Sequence, residues 1–537
     1  MSLRLAMHRV HRIVRLTLSR AVARAFPLVA LPILAMLAVA QTALAGDLAS
    51  DLAEIARKSG LAPQRLAYAI HDVGSGQLLA AQNADVPMTP ASNMKVLTSG
   101  AALAVLGPDF AFETSLYLDR ANGISRLTLV GGGDPALDDP ELRDRDPHGL
   151  EKLVRLWAGE LTKSGVTSVE EIVVDARIFD DEFYHPSWPK EQYPNAYCAE
   201  VWGLNIARNV VGITPVPQPN GKPSVVMTPG FDIPVTRNTA TSRAKDKFTF
   251  SASRAFGSNA LTLRGNASRR PDAPLGLTVH NTPVLAADLL RREFARHGVT
   301  IANARVATES DPRAKGTVVP PIHATPIATV LERANTDSEN LYAEALLKRL
   351  GAALANASAA AEARLPGPGF TAGSWPTGRA ALRQSLAEVL GAESLSAWTI
   401  DDGSGLSQEN RVTAAGLTRW LASFARDSRL APMYFGSFAI AGKTGTVRKR
   451  FDDLERSSVE VRCKTGYIRG VSCLSGVAIA PDGRAIAFSI LGNNLAQGDQ
   501  ISRAKGVQEA IVRRIVTELV PVAPARAVDA REPRGGS

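Results

Sequence analysis

Apolar and polar positions in "RLAYAIHDVGSGQLLAAQNADVPMTPASNMKVLTSGAALAVLG" predict two strands about a Gly-Ser-Gly turn, a loop, and a helix opening near Ala91 or Ser92. "TSLYLDRANGISRLTLVGGGDPAL" alternates on both sides of Asn122-Gly123, which is a hairpin signal, and ends in a glycine-rich turn. "HGLEKLVRLWAGELTKSG" has helical spacing up to Gly165, and "EEIVVDARIF" reads as a strand. The polar, proline-rich "YHPSWPKEQYPNAYCAEVWGLN" follows neither period, and strand-like segments continue to about residue 280. Helical spacing returns in "NTPVLAADLLRREFARHG", with Pro283 in its first turn and Gly298 past its end.

The pattern changes near residue 313. "TPIATVLERANTDSENLYAEALLKRLG" predicts two helices broken at Asn335 to Ser338, and "AALRQSLAEVLG" and "AAGLTRWLASFAR" predict two more. "SSVEVRCKTGYIRGVSCLSGVAIAPDGRAIAFSILGNN" predicts three antiparallel strands, and "ISRAKGVQEAIVRRIVTELV" a closing helix. The fold class expected is α/β (α+β). Two early and three late strands make one antiparallel five-stranded sheet flanked by helices. That domain is split into residues 46–112 and 313–520 by a β-rich accessory insertion at 113–312.

The ends change the reading of charge. Residues 1–45 hold six arginines and no acid, then an apolar run ending in Ala43-Leu44-Ala45, the layout of a secretory signal. Those arginines make up six of the nine formal net positive charges. The mature chain is therefore expected near Gly46, in the periplasm or otherwise exported, without a stable membrane anchor. No basic stripe with interleaved aromatics suggests nucleic acid. The tail 521–537 is Pro/Ala/Arg-rich and is expected to be disordered. Three cysteines and scattered histidines predict neither a disulfide scaffold nor a metal, and no cofactor is expected.

Three short motifs carry chemistry. In Ser92-Asn93-Met94-Lys95 the helical i,i+3 spacing lets a neutral Lys95 take the proton of Ser92 Oγ. A place in the first helical turn aims the Ser92 N–H at a developing oxyanion. In Ser338-Glu339-Asn340, at the break between helices, a hydroxyl can pass protons and an amide can hold a substrate amide. A Lys-Thr-Gly triplet on an edge strand supplies a positive charge, a hydroxyl for a carboxylate and a glycine that lets a substrate backbone lie close. Taken singly, each also reads as a helix cap or a turn. The triplet occurs twice, at Lys443 and at Lys464-Thr465-Gly466. Only the second follows a strand pattern and precedes its hairpin partner, so Lys464 is assigned to the site and Lys443 to a surface turn.

The order Ser92, Ser338, Lys464 resembles the serine D-alanyl-D-alanine carboxypeptidase/endopeptidases of the penicillin-binding protein 4 type. So do the segments "ASNMKVLT", "LVGGGDPAL", "SENLYAEALL", "DDGSGLSQENRVT" and "AGKTGTVRKRF". The resemblance implies a penicillin-binding-protein/serine β-lactamase-like transpeptidase fold. Its implied substrates are peptidoglycan stem peptides and cross-links, with β-lactams as covalent inhibitors. It implies Ser92 as nucleophile, Lys95 as base, Ser338 as proton relay and Asn340 as positioner of the acyl chain. Lys464, Thr465 and Gly466 bind the substrate, and the backbone N–H of Tyr467 completes the oxyanion hole. Relatives mostly carry Ser or Thr where Tyr467 stands, which bears on carboxylate recognition. Two rivals are a β-lactamase and a non-catalytic wall-binding protein. Against the first, no Glu-x-x-Leu-Asn loop follows the second motif, and Tyr193-Pro194-Asn195 lies in the proline-rich stretch of the insertion. Cys463 and Cys473 stand near mirrored positions about Ile468, either bridged or two buried thiols.

Overall fold

The computed structural model describes residues 48–520 apart from 122, 144–148, 220 and 359–364. The expected signal (1–45) and tail (521–537) lie outside the described residues. One antiparallel sheet organises the two distant parts of the chain. Its order is Ala439–Ile440, Glu460–Ile468, Val471–Ile479, Ala485–Gly492, Leu66–Asp72, Leu78–Gln82. The expected five strands are present, and a sixth, two-residue strand sits at the edge. It pairs Ala439 with Cys463 and Ile440 with Arg462 and goes no further. From Lys464 onward the edge is free of strand pairing, because the edge strand begins only at Ala439, opposite Cys463, where the chain arrives from the helix Ala431–Gly436.

The period of two divides this sheet between two cores. Leu66, Tyr68 and Ile70 face one side with Phe488 and Ile490, against the helices at 48–58 and Asp499–Leu519. Ala67, Ala69, Ala487 and Leu491 face the other, against the helices Met94–Leu106, Asn340–Ala355, Trp375–Leu390 and Ala414–Ala425. Each fully buried Leu, Ile or Phe contributes about 1.5–3 kcal/mol, so a sheet covered on both faces is a rigid base for a site.

The insertion has its own core. A mixed sheet runs Thr300–Val306, Ser168–Asp175, Ile124–Gly131, Ala111–Ala121, Thr317–Pro326, with the helices Leu150–Lys163 and Thr282–Arg296 packed on it. Two three-stranded sheets complete it. The strand Thr317–Pro326 pairs back onto Ala111–Ala121, so this sheet runs past the expected boundary at 312 and leads straight into the helix Ile327–Asn335. The proline-rich stretch does not stay with the insertion: Tyr184, Trp188, Tyr193 and Cys198 join the core of the catalytic helices.

The hairpin turns at Arg469-Gly470, not Ile468, and pairs Cys463 with Gly476 and Cys473 with Gly466. The two cysteines therefore point to opposite faces, one into each core. All three cysteines are buried free thiols. Titration of denatured, unreduced protein should find all three reactive, whereas a single reactive thiol would contradict this register.

Candidate active site

The chain enters the helix Met94–Leu106 through one 3-10 turn, Ala91–Asn93. Ser92 lies in that turn, and Lys95 Nζ donates to Ser92 Oγ at 3.0 Å. Ala91 has φ 47°, a left-handed value that costs a non-glycine residue about 1–3 kcal/mol and persists only where its surroundings hold it. Gly405 is pressed on this turn: a Cβ there would stand 1.8 Å from the Ala91 carbonyl oxygen.

Lys95 is completely buried and has two more acceptors, Asn340 Oδ1 at 2.7 Å and the Ser404 carbonyl at 2.9 Å. As an ammonium it fills all three. As a neutral amine it gives its two protons to Asn340 and Ser404 and is left with a lone pair facing Ser92. Burial pushes its pKa down from 10.5 to about 8, against the opposing negative fields of Asp402, Glu344 and Glu339.

The second motif occupies the predicted break between the helices Ile327–Asn335 and Asn340–Ala355. Ser338 is held at φ 66° and accepts from Lys464 Nζ at 2.8 Å. Asn340 Nδ2 donates to the Tyr197 carbonyl at 2.7 Å, which turns Oδ1 toward Lys95. Beside the substrate role expected of it, this amide orients the lysine, and the inserted region supplies the backbone oxygen that orients the amide. Glu339 pairs with Arg208 at 2.8 Å.

On the strand Glu460–Ile468, Lys464 is completely buried and donates to Ser338 Oγ and to the Thr465 carbonyl. Burial, and then the positive charge of Lys95, holds its pKa well below the usual lysine value. Gly466 also has a structural role beside the one expected. A Cβ there would stand 2.6 Å from the Pro90 carbonyl oxygen, so the glycine lets the strand lie against the turn of Ser92. Tyr467 is 55% exposed and its hydroxyl donates to Gln497 at 3.3 Å.

Lys443 stands exposed in a turn, as expected for the other triplet. Its neighbourhood is nonetheless close to the third motif: Thr465 Oγ1 donates to Thr446 Oγ1 at 2.8 Å, and Gly445 is packed on the Thr336 carbonyl. The three motifs thus form two linked groups, Ser92–Lys95–Asn340 and Ser338–Lys464–Thr465. Among the described residues no carboxylate touches either lysine. Tyr193 stands apart, its ring stacked on Tyr184 at 3.9 Å between centroids.

Sequence reasoning missed Tyr197, Ser404, Thr446 and the buried acids Glu344 and Asp402. Asp402 accepts from the N–H groups of Gly405 (2.8 Å) and Ser407 (2.7 Å) and from Trp188 Nε1 (2.9 Å), and so shapes the loop that presents Ser404. The one available signal was the pair of acids in otherwise apolar or glycine-rich stretches, "YAEALL" and "DDGSGLS". Among the described residues no cluster of potential metal ligands occurs, and no helix is long and apolar enough to cross a membrane.

Residues 48–515 match the model of the D-Ala-D-Ala carboxypeptidase 3 (S13) family. The chain is 29% identical over 545 residues to a D-alanyl-D-alanine carboxypeptidase of Actinomadura sp. strain R39, covering 96% of this chain and 94% of that one. It is 23% identical to a D-alanyl-D-alanine carboxypeptidase of Haemophilus influenzae, over 81% of this chain and 86% of that one. The fold is similar to the crystal structure of penicillin binding protein 4 from Haemophilus influenzae (TM-score 0.68, 23% identity, 87% of this chain and 99% of that chain). The chain belongs to the S13 family of D-Ala-D-Ala carboxypeptidases, the family its motifs resemble, and is an enzyme of that class.

The duplicated triplet gives a test. Lys464→Ala should lower acylation about 100- to 1,000-fold, the scale of losing a charge aimed into a desolvated cleft. Lys443→Ala should leave it within about twofold. Rates of labelling by a fluorescent penicillin measure both, and equal losses would refute the assignment.

Proposed function

We propose that this S13-family chain is an exported, periplasmic DD-peptidase that cuts D-Ala–D-Xaa bonds of peptidoglycan through an acyl-enzyme on Ser92. The observation that carries the reading is a pair of buried lysines, one on Ser92 and one on Ser338, whose partners are all neutral oxygens. Neither lysine is in direct contact with a carboxylate among the described residues, so the carboxylate of an entering substrate can take that place.

In this reading Lys95 Nζ takes the Ser92 proton as Oγ attacks the carbonyl carbon. The C–N bond breaks, and the proton passes through Ser338 to the departing amine. Water then attacks the ester carbonyl and gives a proton to Lys95; the ester C–O bond breaks, Lys95 Nζ returns that proton to Ser92 Oγ, and the free acid leaves with both residues restored. The terminal carboxylate lies against Lys464 and Thr465, and its charge favours the protonated form of Lys464. Release of D-Ala is carboxypeptidation. The same bond between D-Ala and a diamino acid of a second stem is a cross-link, and its cleavage is endopeptidation. Export rests on the basic and apolar residues 1–45.

A β-lactam offers a strained amide and a nearby carboxylate, so it should acylate Ser92. Its leaving group stays tethered and blocks the approach of water. The adduct should persist for minutes to hours, a barrier of about 20–23 kcal/mol. Intact-mass spectrometry should show one penicilloyl adduct on the wild type and none on Ser92→Ala. Rapid turnover without an adduct would favour a β-lactamase instead.

The pH dependence follows from Lys95, which must be neutral to act as base. Because burial lowers its pKa to about 8, the neutral fraction rises through that pH. Acylation should climb about tenfold per unit below it and level off above. Stopped-flow acylation with a flat profile from about pH 6 to 9 would exclude Lys95 as the base.

A further inference from the structure

Glu344 lies one helical turn beyond Asn340, on the same face of the helix Asn340–Ala355. It is 0% exposed. Its oxygens accept from the backbone N–H groups of Gly403 (3.0 and 3.1 Å) and Ser404 (2.7 Å) and from Trp375 Nε1 (2.9 Å). The peptide turn held in this way is the one whose Ser404 carbonyl accepts from Lys95 Nζ at 2.9 Å. Gly403 fits tightly there, since a Cβ would stand 2.9 Å from Leu347 Cβ. Both oxygens that take the Lys95 protons therefore depend on one helix, Asn340 directly and Ser404 through Glu344.

A buried carboxylate costs several kcal/mol unless it is well engaged. Three N–H donors converge on Glu344, but among the described residues no cation touches it. Lys348, one turn further on, is paired with Asp180 at 2.7 Å. The Glu344 charge thus acts at a distance, and Lys95 is a buried cation within its field.

We propose that Glu344 is a positioning residue: through the Gly403 and Ser404 N–H groups it fixes the Ser404 carbonyl that aims the Lys95 lone pair, and its negative charge, beside that of Asp402, favours the protonated form of Lys95 against burial. The proposal rests on the reading of Lys95 as base. Other groups share these fields. Lys95 feels Asp402 and Glu339 as well as Glu344, and it is close enough to Lys464 to lower that lysine's pKa. Glu344 faces Asp402, which together with burial raises its carboxyl above the usual range, and its own charge reaches Lys348 and the Cys198 thiol. Removing the Glu344 charge should make Lys95 easier to deprotonate.

The test is the pH profile of acylation by a fluorescent penicillin for wild type, Glu344→Gln and Trp375→Phe, with thermal melting to confirm folding. In Glu344→Gln the acid limb should move down by about one pH unit, the effect of losing one nearby opposite charge. The plateau should fall by about tenfold, because one amide oxygen replaces two carboxylate oxygens. An acid limb at the wild-type pH would overturn the proposal, whatever the plateau, since a merely structural role moves the rate and not the limb. If Glu344→Gln does not fold, Trp375→Phe decides. It removes one N–H donor, keeps the carboxylate easier to protonate, and should shift the limb the same way by less. An unmoved limb there also overturns the proposal. Labelling of Ser92→Ala, run beside them, would instead refute the assignment of the nucleophile.

Discussion

A lysine amine with no access to water must find every acceptor it needs within the protein, and Lys95 is such an amine. Its three partners come from one local and two remote parts of the chain: Ser92 one turn before it, Asn340 at a helix start and the carbonyl of Ser404 in a glycine-rich loop. An unmet N–H at this depth costs about 1–3 kcal/mol, so the geometry of all three is enforced by the same desolvation that lowers the lysine's pKa. Burial is thus both the constraint on the fold and the source of the reactivity. A lysine nearer the surface would satisfy its protons with water and stay charged at neutral pH.

That constraint explains why the inserted region is tied so firmly to the catalytic domain. The Tyr197 carbonyl fixes the Asn340 amide, and Trp188 bonds the Asp402 carboxylate that shapes the Ser404 loop. Arg208 reaches Glu339 at 2.8 Å and Asp139 at 3.3 Å, and Asp139 in turn meets Arg333. Ala207, Arg208 and Asn209 all have positive φ, at 49°, 59° and 56°. Three consecutive non-glycine residues in the left-handed region are costly, and Asn209 holds the turn by donating to the Glu200 carbonyl and accepting from the Ile206 N–H. The strained turn delivers Arg208 to the second motif, so the insertion contributes to the site through backbone and charge.

Much of this was legible in the sequence where local rules apply. The i,i+3 spacing from Ser92 to Lys95 and the helix break at Ser338 follow from helix geometry and punctuation, and the alternation around Lys464 separates it from Lys443. What was not legible depends on contacts between segments far apart in sequence. No local pattern shows that the Tyr197 carbonyl meets Asn340 or that Thr446 meets Thr465. That the glycine of the third motif is also pressed on the Pro90 carbonyl is visible only once strand and turn are together. The cysteine pair illustrates the period of two. A hairpin centre displaced to Arg469-Gly470 sends Cys463 and Cys473 to opposite faces.

The short sixth strand shows how the sheet edge is both closed and open. Unpaired edges invite wrong partners, and here Ala439–Ile440 blocks the edge as far as Cys463. The chain then leaves through Gly442, whose φ of 75° allows the turn, and Gly445 returns it against Thr336. Strand pairing is withheld from Lys464 to Ile468 because the edge strand starts only at Ala439, opposite Cys463; this stretch carries Lys464, Thr465 and the glycine packed on the Ser92 turn. A free strand edge of this kind is where an extended peptide pairs as a further strand. The chain that turns at Gly442 comes back to bring Thr446 to Thr465. The threonine that follows the first copy of the triplet, Thr446, therefore borders the cleft, while Lys443 remains in solvent.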